Sequence, residues 1–527
     1  MCGIFGYVSC NEDKVDNKSL KDSSVKCSHR GPDSTKDLVI KKGIKSINFS
    51  FHRLAINGLS SSGDQPMTLN NKTLICNGEI YNYKELAKKY DFELKTGSDC
   101  EVILHLSIIK PIQDYIHELD GVFSFILYDS LDESITVGHD PLGVRPLYWF
   151  KNSDNTEIAF SSEMKSLYDI CGQNKIEFYP SGSFSIYYLK TSMLHTYSFY
   201  NFEYPSICDT SENEIIRKIK TLLTRSVKKR LISDRPVGCL LSGGLDSSII
   251  TSLVCKFIEP SRVYTFAIGL KDSPDLLAAQ KVADHLGTMH TNVILSESDM
   301  LEGIDETIYQ IESKDTTTVR ASVPMYLLSK YIRDNTGVKV ILSGEGSDEA
   351  SGSYLYFHNA PDSRSFQDET IRLLKDVHMF DVLRADKTTA GAGLELRVPF
   401  FDKEFLKYYM GINPEQKVVR DGMEKYLLRK AFEDELPEEI VWRRKDGFSD
   451  GVSKAERPWY EIIDEYSRKK GYRNENDMYN TIFKKYYYGC DDIIPYNWMP
   501  KWTTGVGENP SGRLIIDKMD IFFRGFF

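Results

Sequence analysis

The pattern of apolar positions along the chain changes character about two-fifths of the way through. Residues 1–8 read Met1-Cys2-Gly3-Ile4-Phe5-Gly6-Tyr7-Val8, an apolar, β-rich run from the start. Residues 51–56 alternate like a strand, 73–75 and 121–129 are apolar, and 135–138 and 146–150 predict further strands. Residues 102–109 are apolar with helical spacing, and 160–167 read as a strand end entering a helix. Strands with flanking helices predict a two-sheet sandwich. Residues 195–212, with Tyr, Asn, Pro and Ser, are the linker candidate. Beyond it the rhythm becomes strand, helix, strand. A basic amphipathic helix over 212–231 leads to a short buried strand at 237–241, and helical spacing follows over 249–258. Further strands are predicted at 262–270, 290–293 and 338–342, with a helix opening at Ser273-Pro274-Asp275. This alternation marks an α/β fold with a parallel core.

Between the strand at 237–241 and its helix stands Ser242-Gly243-Gly244-Leu245-Asp246-Ser247-Ser248. Two glycines allow close backbone approach, three serines supply hydroxyls, and a helix N-terminus presents free N–H groups. That is a cradle for an anion such as phosphate. Asp246 would repel a bare phosphate, and makes sense with a divalent metal between them. No Lys-Ser/Thr follows the glycines and no G-x-G-x-x-G is present, so this is neither a Walker loop nor a dinucleotide fingerprint. Taken alone, a Gly-Gly corner is as often an ordinary strand–turn–helix connection. Ser343-Gly344-Glu345-Gly346-Ser347-Asp348-Glu349 repeats the design after the strand at 338–342. Its three acids in five positions point to a metal or a reacting amine.

At 527 residues the chain predicts at least two domains. It is 41% hydrophobic and 27% charged, the composition of a soluble globular protein. A net charge of −10 argues against a nucleic-acid surface. Ten cysteines without a short regular framework or a C-x-x-C pair suit reduced thiols in a cytoplasmic enzyme and give no support to zinc. Neither a signal peptide nor a membrane-spanning run is visible.

In the first domain, a small second residue favours removal of the initiator Met. Cys2 would then carry a thiol and a free α-amine able to act as its base. Taken singly, Cys2 reads as a buried structural thiol, Arg53 as an ion-pair residue, Asn77-Gly78 as a turn and Asp99 as a helix cap. Together with His29-Arg30-Gly31-Pro32-Asp33, Cys76-Asn77-Gly78-Glu79 and Thr96-Gly97-Ser98-Asp99 they resemble the class II glutamine amidotransferase domain, over about 1–205. The resemblance implies that Cys2 attacks a glutamine side-chain amide and forms a thioester. Asn77 and Gly78 would form the oxyanion hole, Arg53 would bind the α-carboxylate, and Glu79 and Asp99 the α-ammonium.

Ser-Gly-Gly-x-Asp-Ser resembles the pyrophosphate loop of ATP-pyrophosphatases. Residues 206–527 as a whole resemble the synthetase domain of glutamine-hydrolysing asparagine synthetases. Asp315-Thr316-Thr317-Thr318-Val319-Arg320, Tyr354-Leu355-Tyr356-Phe357-His358 and the stretch from Trp498 to Arg513 share in that resemblance. The fold implied is an α+β N-terminal-nucleophile hydrolase sandwich (αββα) followed by an α/β doubly wound parallel-sheet ATP-pyrophosphatase domain. ATP contacts are expected from Leu241, Ser242, Gly243, Gly244, Asp246, Ser247, Ile268, Ser343, Gly344 and Lys445. Asp246 and Asp348 are expected to hold Mg²⁺, Glu345 to serve the adenylate step and Arg320 to bind aspartate. The substrates implied are glutamine, aspartate and ATP, with no nucleic-acid or membrane partner; a homodimer is compatible with the resemblance. Two stretches depart from the family: Ala350-Ser351-Gly352-Ser353, where a larger apolar residue, an aromatic and two glycines are usual, and the small-residue run Thr389-Ala390-Gly391-Ala392-Gly393.

Two rivals are a cyclising ligase of the β-lactam synthetase type and a catalytically dead regulatory protein. The first normally has an inactive amidotransferase half, and the second would be expected to lack one of Cys2, Arg53, Asn77, Asp99 or Asp246. All five are present.

Overall fold

Two antiparallel sheets face each other in the first third of the chain, and a parallel sheet follows. The structure, a computed structural model, describes residues 1–11, 15–206, 210–503 and 509–512. Part of the predicted linker and of the stretch ending at Arg513 therefore lies outside the described residues.

The first sheet contains β1 (Gly3–Ser9), β2 (Ser34–Lys42), β3 (Lys45–Arg53), β8 (Tyr148–Lys151), β9 (Glu157–Ser161) and β10 (Glu177–Phe178), in the order β10-β8-β9-β1-β3-β2. The second contains β4 (Met67–Leu69), β5 (Lys72–Ile80), β6 (Gly121–Asp129), β7 (Ser134–His139), β11 (Ser183–Tyr188) and β12 (Met193–Ser198), in the order β12-β11-β7-β6-β5-β4. β1 is apolar at nearly every position because both its faces are buried. Ile4 and Val8 enter the core between the sheets with Phe49, Ile75 and Ile126. Phe5 and Tyr7 pack on the other side with Leu20, Met164 and Leu167.

The third sheet runs β15-β14-β13-β16-β17, parallel throughout, from β13 (Val237–Leu240), β14 (Tyr264–Leu270), β15 (Met289–Leu295), β16 (Val340–Leu342) and β17 (Glu395–Arg397). Chain order reverses about β13, which has β14 on one side and β16 on the other. The crevice beyond the C-terminal strand ends at such a point is where doubly wound sheets bind ligands. The helix predicted from 212 runs Glu212–Lys229 behind a Ser211–Glu214 capping box.

Some local expectations change. β12 ends at Ser198, so the predicted linker begins with the end of a strand. Asn77-Gly78 is no turn: both residues lie inside β5, opposite Ser124 and Phe123 of β6. Asp99 caps no helix, because its carboxylate accepts the Ile80 N–H at 2.7 Å. No helix among the described residues is long and apolar enough to cross a membrane.

The sandwich and the parallel sheet share a core. Met1, Leu54, Ile56, Val122, Leu142 and Val144 belong to the same apolar cluster as Ala385, Leu394, Leu396 and Val398. The small-residue run contributes to this contact: a Cβ on Gly393 would come within 3.2 Å of the Pro32 ring.

Candidate functional site

The first candidate site lies where β1 and β5 meet across the sandwich. The Cys2 thiol lies 3.8 Å from the Leu54 carbonyl, and burial raises its pKa to about 11. Met1 precedes it with its amine 3.8 Å from Glu395 Oε2. Burial lowers that amine to about 6 despite the Glu395 charge. The Cys2 carbonyl accepts from Arg30 Nε at 3.0 Å, and Arg30 continues to Glu163 at 2.7 Å and Asp386 at 2.8 Å.

Asn77 is fully buried and neither polar atom of its amide has a partner. Leaving such atoms desolvated is costly, so an unpaired buried amide points to a group waiting for a ligand. Gly78 permits no side chain, since a Cβ would lie 2.7 Å from the Val122 carbonyl. Arg53 ends β3 with its guanidinium inside the 58–64 loop. It donates to Ser60 O at 2.6 Å, to Asp64 at 2.9 Å and to Gly58 O. Glu79 accepts from Asn57 at 2.6 Å, and its other oxygen lies 3.2 Å from Arg397 of the parallel-sheet domain. Burial raises both acids, Glu79 well above the usual carboxylate range and Asp99 to about 6.

The second candidate site is a cavity of about 190 Å³ at the reversal point of the parallel sheet. Leu241, Ser242, Gly244, Asp246, Ser247, Ile268, Ser343, Gly344, Glu345, Asp348 and Lys445 line it, so most of the predicted ATP contacts share one crevice. Gly243 sits behind it at φ +70°, where a Cβ would strike the Ala278–Ala279 backbone at 2.4 Å. The two glycine-rich loops touch: a Cβ on Gly344 would lie 2.8 Å from Ser247 N. Ser347 Oγ donates to Asp246 at 2.7 Å, which joins the second loop to the acid of the first.

Lys425, absent from the predicted set, binds Asp246 at 2.6 Å and Asp348 at 2.5 Å. Lys445 adds a bond of 2.6 Å to Asp348. Although burial opposes it, the two ammonium groups hold the Asp348 carboxyl far below the usual range. Burial likewise opposes the charge of Lys445, but the Asp348 carboxylate overrides it and raises the amine. Ser353, in one of the departures from the family, donates to Asp348 at 2.5 Å. Burial raises Glu345, which pairs with Arg384 at 2.8 Å; Arg384 also reaches Asp381 at 3.0 Å.

Arg320 is not brought to this cavity. Its guanidinium is clamped by Glu475 and bonded to Asn509 at 2.8 Å, and the residue is 3% exposed. The aspartate-binding expectation placed it at the cavity; in the structure Thr317 and Ala321 of its helix line the cavity and Arg320 does not. Nothing local to the sequence marks Lys425 or Arg384 as site residues. Each is a charge beside apolar residues, Val382-Leu383 and Tyr426-Leu427, and only the tertiary fold carries it to the strand ends.

Comparison with known proteins covers both sites. The glutamine amidotransferase domain family matches residues 1–201, and the asparagine synthase family matches 218–372 and 359–505. The glutamine-hydrolysing asparagine synthetases of Pongo abelii and Homo sapiens are 39% and 38% identical over 565 residues, covering 98% of this chain and 98% of each relative. That of Gallus gallus is 39% identical over 560 residues with the same coverage.

Proposed function

Because the chain belongs to the glutamine-hydrolysing asparagine synthetase family, we propose that its two sites carry out successive halves of one ATP-dependent amidation of aspartate. In the first half, Met1 is removed and the Cys2 thiol loses its proton to its own α-amine. The thiolate adds to the side-chain carbonyl of glutamine. The oxyanion takes hydrogen bonds from the Asn77 amide and the Gly78 N–H, groups worth about 10²–10³ in rate for each donor. Ammonia leaves with a proton from the amine, and water hydrolyses the thioester to glutamate. Arg53 receives the substrate α-carboxylate in exchange for part of its present bonding, and Asp99 with Glu79 faces the α-ammonium. Ammonia crosses to the second site along the interdomain apolar contact of Leu54, Val122, Leu142, Val144 and Leu396, surroundings that disfavour the charged ammonium far more than the neutral molecule.

In the second half, the aspartate β-carboxylate attacks the α-phosphorus of ATP, expelling pyrophosphate and forming β-aspartyl-AMP. Ammonia then attacks the acyl carbon and AMP leaves with the bonding pair. Glu345 takes the proton that the attacking nitrogen loses. A carboxylate is a poor electrophile, and adenylation supplies the leaving group it lacks. Ser242, Gly243, Gly244 and Ser247 cradle the phosphates with Ser343 and Gly344, while Leu241 and Ile268 border the base. Lys445 and Lys425 offset charge on the pyrophosphate. Asp246 and Asp348 suit Mg²⁺, which takes one or two carboxylates and completes its shell with phosphate oxygens and water; when bound it would neutralise phosphate charge. Arg384, already beside Glu345 and Asp381, is the cation we assign to the aspartate substrate in place of Arg320.

The observation that carries this reading is the pairing of Asp246 and Asp348 by one lysine at adjacent parallel strand ends. The test is product identity. AMP and pyrophosphate should appear in equal amounts with asparagine, and stoichiometric ADP would contradict the assignment.

A further inference from the structure

Arg397 is the last residue of β17, in the synthetase half, and is fully buried. Its backbone carbonyl accepts the N–H of Ser343 at 3.0 Å, the first residue of the second phosphate loop. Its guanidinium points the other way. Nε donates to Glu395 at 2.8 Å, and Nη1 to the carbonyls of Arg230 at 2.8 Å and Ile232 at 2.5 Å. Nη2 makes ion-pair contacts without hydrogen-bond geometry, 2.8 Å from Glu395 Oε1 and, across the domain boundary, 3.2 Å from Glu79 Oε2. Glu79 is 2% exposed, and its remaining oxygen is held by Asn57, next to the Gly58 whose carbonyl binds Arg53. One residue therefore touches the nucleotide loop with its main chain and a glutamine-site carboxylate with its side chain.

We propose that Arg397 is a positioning residue for glutamine, supplied to the first site by the second domain. Through its bond to Ser343 it makes glutamine affinity depend on occupation of the nucleotide loop. The inference rests on the reading that the Glu79 pocket binds glutamine. Arginine suits the task because its fixed fork meets two carboxylates and two carbonyls at once, which a single ammonium on a flexible stem cannot do. Both carbonyls belong to the segment that follows the helix Glu212–Lys229, so the guanidinium is fixed to the synthetase side and Glu79 is the group it steers. Coupling of this kind is reciprocal and typically amounts to about 5–150-fold in affinity.

The experiment measures glutamine hydrolysis by the whole protein with and without ATP, in the absence of aspartate so that no synthesis occurs. In the unaltered chain ATP should lower the glutamine KM by about fivefold or more. In Arg397→Lys the KM should rise by roughly tenfold with kcat nearly unchanged, and the ATP effect should vanish. Glu79 faces Arg397, which favours its carboxylate, and Asp99 and Glu395, which oppose it. The acid limb of glutamine kcat/KM should therefore move to higher pH in Arg397→Gln, which removes that charge, a shift that a loss of structure alone would not produce. Should Arg397→Lys not fold, Glu79→Gln provides the second arm. It removes the charge that Arg397 steers and should also abolish the ATP effect. Absence of glutamine hydrolysis in the unaltered protein would overturn the glutamine-site reading. Hydrolysis with a KM indifferent to ATP, or an ATP effect that persists in either folded variant, would overturn the role of Arg397.

Discussion

The two sites prepare for their ligands in opposite ways. In the sandwich the decisive groups are desolvated: the Asn77 amide has no partner, and burial pushes the Asp99 carboxyl and the Cys2 thiol upward. In the parallel-sheet domain the decisive groups are charged and already neutralise one another, Asp246 and Asp348 against Lys425 and Lys445. The difference follows from the substrates. A neutral carboxamide is stabilised during reaction by dipoles held in place, so the site keeps donors waiting on a rigid strand. A polyphosphate brings several charges at once, so the site keeps opposite charges in mutual pairs that can exchange with it.

This contrast breaks most visibly at the nucleophile. Cys2→Ala should lower glutamine hydrolysis by more than about 10³-fold while asparagine synthesis from added ammonium persists; Ala is also small, so removal of Met1 should be unaffected. Continued glutamine-dependent synthesis would refute the nucleophile assignment, and loss of both activities in a folded variant would refute the separation of the glutamine chemistry from the ATP chemistry. Retention of Met1 should silence glutamine hydrolysis in the same way, which mass spectrometry of active and inactive fractions would reveal.

The next effect belongs to the other site. Asp246→Asn keeps the shape but removes the charge paired with Lys425, and synthesis from either nitrogen source should fall by about 10²-fold or more. Glutamine hydrolysis measured on the same preparation without ATP should be unchanged. Full synthetase activity in this variant would remove Asp246 from the phosphate and metal site.

Asn77→Ala sharpens the comparison from the other direction. Glutamine kcat should drop by about 10²–10³-fold, but because no hydrogen bond is lost the folding cost should stay below about 1 kcal/mol. Chemical denaturation run beside the kinetics reads both, and a large stability loss with intact kcat would reverse the assignment.

The smallest expected effect is in pH. If the Asp99 carboxylate holds the glutamine ammonium, glutamine kcat/KM should fall as pH drops through about 6, approaching tenfold per unit below it. The shift carries a stability consequence of definite sign. Because the folded-state pKa lies above the ordinary carboxylate value, the contribution of Asp99 to folding is full below about pH 4 and is lost as pH rises through about 6. A profile flat down to pH 5 would remove Asp99 from glutamine binding.

What the sequence made legible was local. Apolar runs closed by Ser242-Gly243-Gly244 and Ser343-Gly344 specify strand, tight turn and helix within a few residues, and both corners stand where the pattern placed them. Cys2, Asn77 and Asp99 were legible only jointly, since each has a commoner meaning alone. Lys425 and Arg384 were not legible as site residues because their meaning lies in partners far along the chain: Lys425 lies 179 residues from Asp246. Arg320 shows the converse. Its motif is family-like, yet tertiary packing gives its guanidinium to Glu475 and Asn509.

The central claim is that the second site activates aspartate by adenylation, and isotope exchange between pyrophosphate and ATP tests it most directly. With Mg²⁺ and no nitrogen donor, labelled pyrophosphate should enter ATP only when aspartate is present, and Cys2→Ala should support that exchange as well as the unaltered chain. Exchange without aspartate, or none with it in a protein that makes asparagine, would contradict the account.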